Sequence, residues 1–569
     1  MGHPLVAIGL DAADPRLIER WMKQGKLPNL ARLKQQGAYG RLKTFEYYRA
    51  ETPWTTFLTG CSPEQTGYWA PLTFHPEQYE VEQIDAYDFG EYQPFYALTG
   101  DRRVAVFDMP QAPLSEEVNG IQALGWGAHA PMTPTHSLPE TLLPTVTETY
   151  GTHPVLRKDH ASTMDWDALK GLQQSLETGI GRRADICQDL IQQEPWDLFL
   201  TIFGESHAGG HYFWHLSEPD HPLYPLVAHE DDNPLLGTFH AIDRAVGDIV
   251  DKAPDDATVV VFAAHGMGSN VMDLPSMVFL PEFLYRWNFP GHYGLGWNPN
   301  GKIPAKPMSG PRTKRGWLGS TWSLKYDASP IKRLLRKVLP TKVFNKVFDA
   351  IASLPLPTRA DADAPPELVS PFALMDEKQR LYYQPATWYH HAWPHMKAFA
   401  LPSFSEGYIR INLKGREPQG IVDPKDYDQV CDELTQELNQ LKDARSGVPM
   451  VMKVIRTRSN PLDSNPKLPD ADLVIMWQEE QTTDVVTSST VGHIGPIPYL
   501  RTGSHRSDGF IIAQGQSFEP GSTLPAAHSL DLAPTFLDLM DCSIPDYFQG
   551  QSIRPSVQPS VQPQSMAVP

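Results

Sequence analysis

LVAIGLDAADP, residues 5–15, is the stretch from which the fold is read. Leu5 to Leu10 is an unbroken apolar run of strand length. Its lack of alternation suits a strand buried on both faces. Asp11 closes the run, and Pro15 suits the first turn of a following helix. The same order recurs at Val104–Phe107, Leu198–Phe203 and Val259–Ala263, with helical stretches between. Strands alternating with helices predict an α/β fold, a doubly wound, mostly parallel sheet flanked by helices. Such sheets hold ligands beyond the carboxyl ends of their strands, so the polar residues there are the candidates for function.

The chain has 569 residues, enough for two to four domain-sized units or one large core with insertions. The reading divides it into a first part of the α/β core at 1–281 and an inserted cap or linker region at 282–370. A second part of the core follows at 371–554, and a disordered tail at 555–569. The inserted region is rich in Pro, Gly, Trp, Lys and Arg. It contains KRLLRKVLPTKVFNKVF (332–348), read as a solvated surface helix, with a membrane-surface or acidic-partner role as the alternative. With 48 Lys and Arg against 67 Asp and Glu, the net charge is −19. That balance argues against a nucleic-acid partner, whose phosphates need cationic surfaces. No apolar run approaches the roughly 20 residues of a membrane span. Cys61, Cys187, Cys431 and Cys542 form no CxxC pair, which fits a reducing compartment. The first residues read as a strand and not as a signal peptide, so a cytoplasmic protein with a small-molecule substrate is expected.

Four segments carry the chemistry. Asp11 ends the first strand. WDLFLTIFGESHAGGHYFWH (196–215) places His207 and His211 four residues apart, on one face if the segment is helical. VVVFAAHGMG (259–268) puts His265 directly after a strand. RTGSHRSDGFIIAQG (501–515) puts His505 in a Gly/Ser turn before another. Each feature alone has an ordinary reading, as a helix cap, a packed pair or a turn. Together they fall at strand ends of one expected sheet. Three neutral imidazoles can hold zinc and leave a position open.

These segments resemble the alkaline-phosphatase superfamily, in its type I phosphodiesterase/nucleotide pyrophosphatase branch. The similarity runs through GLDAADPRLIERWMKQGKLPNLARLKQQGAYGRL, ETPWTTFLTGCSPEQTGYW, PWDLFLTIFGESHAGGHYFWH, GYIRINLKGREPQGIV, GSHRSDGFIIAQG and DLAPTFLDLM. The resemblance implies a parallel sheet carrying two metal ions, usually zinc, beside a Thr or Ser nucleophile. Matched residue by residue, the family's first Asp is Asp11 and its last ligand His is His505. Its Asp and His spaced by four become His207 and His211, and its later Asp-His pair becomes Ala264 and His265. The nucleophile position falls on Ala50, with Thr52 the neighbouring hydroxyl.

One metal site, His207, His211 and His505, is thereby complete. The other keeps Asp11 and His265, with Glu51, Glu205 and Asp14 as possible substitutes. The resemblance implies a metal-dependent hydrolase of a phosphoester, phosphodiester or nucleotide-like, or of a related ester. One zinc is expected, with manganese or iron as alternatives and the second site reduced. Direct attack by a metal-bound hydroxide is expected, with Asp11 or Glu51 taking a proton and His265 serving the oxyanion or leaving group. The alternatives are the same fold rebuilt for lyase, transferase or redox chemistry, with copper among the ions, or a non-catalytic binding protein. Lys414 and Arg416 are expected to be surface or structural residues and not catalytic ones. The aromatic stretch TWYHHAWPHMKAF either packs the cap on the core or lines a pocket, with His390, His391 and His395 as further ligands.

Overall fold

The computed structural model describes residues 3–127, 135–155, 165–229, 232–296, 302–308, 316–327 and 365–555. The basic stretch 332–348 and the tail beyond 555 lie outside them. The early strands are β1 (Leu5–Leu10), β2 (Ala38–Lys43), β3 (Val104–Phe107), β4 (Gly120–Leu124), β5 (His136–Leu138), β6 (Leu198–Phe203), β7 (Thr258–Ala263) and β8 (Gly266–Ser269). Then come β9 (Ala398–Leu401), β10 (Gly407–Ile411), β11 (Val451–Arg456), β12 (Leu473–Trp477), β13 (Gly503–Arg506) and β14 (Asp508–Gln514). The helices that frame the site are α1 (Pro15–Lys23), α2 (Pro53–Thr59), α3 (Trp166–Gln193) and α4 (Glu205–Ser217).

The large sheet has the order β2-β14-β7-β1-β6-β3-β4-β5, with two short strands beside β2. Its centre is parallel: β1 pairs with β6 and β7, and β3 with β6 and β4. Its flanks are antiparallel, through β14 against β7 and β2, and β5 against β4. This is the expected doubly wound α/β sheet.

Side-chain alternation explains why the sheet is buried on both faces. Val6, Ile8 and Leu10 of β1 join one apolar core with Phe199 and Phe203 of β6. Leu5 and Ala7 point into a second core with Leu198, Leu200 and Ile202. Odd and even residues of one strand therefore serve opposite layers, which requires an apolar residue at nearly every position. Gly9 is the close-packed exception, since a Cβ there would lie 2.4 Å from the Ile202 side chain.

The chain leaves this sheet region after β8 and rejoins it at β13. Between them β9, β10, β12 and β11 form an antiparallel sheet with its own core. Leu284, Leu295, Trp317, Trp322 and Leu368, from the described parts of 282–370, pack in that core. The aromatic stretch also packs there, through Trp388, Tyr389, Trp393 and Phe399. Among the described residues no helix is long and apolar enough to cross a membrane.

The two units are tied together by a buried polar cluster at the turn before α2. The Tyr48 N–H donates to Glu406 at 2.8 Å, and Arg49 Nε donates to the same carboxylate at 2.7 Å. Ser405 Oγ lies 2.7 Å from one oxygen of Glu51 and 2.6 Å from Glu406. A hydroxyl carries one proton, so two such short contacts to acceptors require a second proton on a carboxyl. Arg49 pairs with Glu406, and the proton is placed on Glu51. Burial and the neighbouring Glu406 charge push Glu51 up to about 8.

A carboxyl raised in the folded state binds its proton more tightly there than in the unfolded chain. Stability from Glu51 is therefore complete below about pH 4.5 and falls as pH rises towards about 8. Thermal unfolding midpoints across this window should fall with pH in the wild type and fall less in Glu51→Gln. Equal slopes in the two proteins would show that Glu51 carries no such proton.

Candidate metal centre

The helix α4 starts two residues after β6 ends, so His207 lies one turn beyond the carboxyl edge of the sheet. His211 follows one turn later on the same face. The third imidazole arrives from far along the chain. β13 pairs antiparallel with β8, with His505 opposite Met267. Glycine permits that hairpin to lie against α4, because a Cβ at Gly503 would sit 2.2 Å from the Gly210 carbonyl oxygen. The Thr502 N–H donates to the His211 carbonyl at 2.8 Å, locking strand to helix.

His207, His211 and His505 have ligand atoms all within 4.8 Å of one another, and they are the one group of this kind among the described residues. His211 Nδ1 donates to the Gly503 carbonyl oxygen at 2.7 Å. A carbonyl only accepts, so Nδ1 carries the proton and Nε2 presents its lone pair. That Nε2 is 3.1 Å from Nε2 of His207. Nitrogens bound to one tetrahedral zinc at about 2.0–2.1 Å lie about 3.3 Å apart. The donor set therefore fits a zinc-type ion. Burial pushes His505 well below its ordinary value, assisted by His265, His207, His211 and Arg501, so it too is a neutral ligand.

Asp11 and His265 adjoin this triad from the ends of β1 and β7. The His265 ring stacks on His505 with centroids 4.9 Å apart. His265 Nε2 is 3.7 Å from Asp11 Oδ1, the oxygen that accepts the Trp54 indole N–H at 3.1 Å. Ala264 is buried beside them and offers no ligand. The matched nucleophile position, Ala50, has no hydroxyl. Thr52 is buried at the start of α2, where its hydroxyl donates to the Tyr48 carbonyl at 2.9 Å.

The carboxylates offered as substitute ligands are engaged elsewhere. Asp14 caps α1 by accepting from the Leu17 N–H at 2.8 Å. Glu51 belongs to the cluster with Ser405 and Glu406. Glu205 accepts from Arg183 Nε at 3.1 Å and lies 3.0 Å from His153 Nε2. Burial alone would raise its carboxyl, but Arg183 and His153 outweigh it and hold Glu205 down to about 2. Arg183, fully buried, also donates to Asp108 at 2.7 Å and so joins the ends of β3 and β6. Arg416 is bound to Glu417 and Asp472 in the second unit, and Lys414 is exposed. His390 donates to the Thr387 carbonyl in that unit, apart from the triad.

Sequence reasoning passed over Arg501. Its Nη1 lies 3.2 Å from His211 Nε2, while Nε and Nη2 each reach Asp273 Oδ2 at 2.8 Å. The signal was available, since Arg501 opens the same RTGSH segment that supplies His505. Asp273 had none, because it acts only through Arg501.

The profile of the type I phosphodiesterase/nucleotide pyrophosphatase family matches residues 5–289. No curated protein matches the sequence. Among solved structures, phosphonoacetate hydrolase from Sinorhizobium meliloti 1021 with phosphonoformate is similar at 12% identity and a TM-score of 0.46, over 95% of each chain. Murine ectonucleotide pyrophosphatase/phosphodiesterase 5 is similar at 12% identity and a TM-score of 0.45, over 95% of this chain and 96% of that one. By the match over residues 5–289, which spans strands β1 to β8 and includes His207 and His211 of α4, the chain belongs to the type I phosphodiesterase/nucleotide pyrophosphatase family of phosphoester hydrolases.

Proposed function

We propose that this protein is a metal-dependent hydrolase that cleaves a small phosphoester at the His207, His211 and His505 centre. The observation that carries the reading is the convergence of three imidazole nitrogens beyond the carboxyl edge of a parallel sheet, with the His211 tautomer fixed by the Gly503 carbonyl. The zinc-type ion that fits these ligands supplies positive charge for a phosphoryl oxygen and lowers the pKa of a bound water.

The chain's own residues do the rest. His211 is held with its proton on Nδ1, and burial keeps His505 neutral. The Gly503 carbonyl keeps the His211 ring in place, a role whose loss typically costs 10–100-fold in affinity or activity. His265 and Asp11 stand beside the triad with Nε2 and Oδ1 3.7 Å apart, and His265 is the group placed to pass a proton to a leaving oxygen. With Ala50 in the matched nucleophile position, attack by water is the favoured route, and no phospho-enzyme is required. Glu51 takes no part in this reading, because its proton is committed to the Ser405–Glu406 cluster.

Protein purified without added metal or chelator should carry one equivalent of zinc by elemental analysis, and His207→Ala should lose it. Retention of the metal in that variant would place it elsewhere. On generic phosphomono- and diesters, His211→Ala should lower turnover by at least about a hundredfold, whereas Thr52→Ala should stay within about tenfold of wild type. If Thr52→Ala alone abolishes turnover, the water route is wrong and Thr52 is the nucleophile.

A further inference from the structure

The turn that follows α4 closes on a buried imidazole outside the metal centre. His221 is 2% exposed. Its ring lies 5.9 Å from that of His215 in α4 and 5.7 Å from Tyr499, in the loop before β13. Leu223 and Tyr499 belong to the apolar core of the second unit, whereas Phe213, Trp214 and Leu216 of α4 pack in a core of the large sheet. The Glu218–Leu223 turn therefore seals the seam between the two. The Glu218 N–H donates to the Trp214 carbonyl at 3.2 Å, and the His221 N–H to the Glu218 carbonyl at 3.0 Å.

One further bond fixes the ring. The Leu223 N–H donates to His221 Nδ1 at 3.1 Å, as it would to an Asn or Asp oxygen in an Asx turn. An accepting Nδ1 carries no proton, so the neutral ring keeps its proton on Nε2. A second proton can go only to Nδ1. There it turns the acceptor into a donor facing the Leu223 N–H and puts a charge into a buried seam. The titratable side chains against the ring are His215 and Tyr499, and neither is a carboxylate. Within the turn, Glu218 is bound to Arg20 at 2.6 Å and Asp220 is exposed. Burial pushes His221 down to about 3. An imidazole held down in the fold takes its proton more readily once it is exposed. Its contribution is complete above about pH 6.5 and is lost as pH falls from there towards about 3.

We propose that His221 is an acid-sensitive latch, which holds the Glu218–Leu223 turn in the seam while Nδ1 accepts from Leu223 and releases it when Nδ1 is protonated. The latch is independent of the metal reading, since none of the three triad histidines takes part in it.

The test is hydrogen exchange of the full chain at pH 7 and pH 5, read by mass spectrometry on a peptide covering 218–226 and corrected for the intrinsic rate at each pH. In the wild type, protection of this peptide should fall about twentyfold, the factor for opening that exposes one imidazole of ordinary value 6.5. His221→Asn keeps an acceptor for the Leu223 N–H and does not titrate, so its protection should fall less than about threefold. The comparison with wild type also removes the opposite contribution of Glu51 over this window. Equal losses in the two proteins would overturn the proposal. Should the variant fail to fold, the wild type decides alone. Loss confined to 218–226 upholds the latch, and loss spread evenly over the chain, or no loss, overturns it.

Discussion

The site depends first on one hydrogen bond, from His211 Nδ1 to the carbonyl oxygen of Gly503 at 2.7 Å. It joins a helix that follows the fourth strand from one edge of the sheet to a strand formed nearly three hundred residues later. It also decides the chemistry of the ring. With the proton committed to Nδ1, Nε2 carries the lone pair, 3.1 Å from His207 Nε2 and 3.2 Å from Arg501 Nη1. Without that carbonyl, either tautomer would serve and the three imidazoles would have no common focus. The bond is possible because Gly503 has no side chain to meet the Gly210 carbonyl and separate the two backbones.

The surroundings of the helix serve the same end. Arg183 is buried among the rings of Phe107, Trp126 and Phe203 and is held by Asp108 and Glu205. Removing one partner from such a cluster leaves an uncompensated buried charge, so the first turn of α4 has little freedom. On the other side, the turn at Tyr48–Thr52 is clamped to the antiparallel sheet by Glu406 and Ser405. The helix that carries His207 and His211 and the turn that adjoins Asp11 are thus fixed by separate charged clusters.

Much of this was legible in the sequence. The unbroken apolar runs at Leu5–Leu10 and Leu198–Phe203 read as strands because each residue is buried on one face or the other, and that periodicity is local. The pairing of His207 with His211 was legible for the same reason, as a spacing within one helix. The roles of Glu51, Glu205 and Asp14 were not, because nearness along the chain says nothing of which partner lies across the fold. Glu205 sits two residues from His207 and yet faces Arg183. Glu51 adjoins the matched nucleophile position and yet faces Ser405, more than three hundred residues away. Arg501 escaped notice because an arginine in a loop has many ordinary uses, and its place between Asp273 and His211 shows only in the fold.

The central claim is a metal held by three imidazoles, and X-ray absorption at the zinc edge of the zinc-loaded protein tests it most directly. The account predicts three histidine ligands with Zn–N distances of about 2.0–2.1 Å, recognisable by the outer-shell scattering of their rings, and lighter atoms completing the shell. A spectrum that requires carboxylate oxygen in place of one imidazole, or a sulfur ligand at about 2.3 Å, would contradict it.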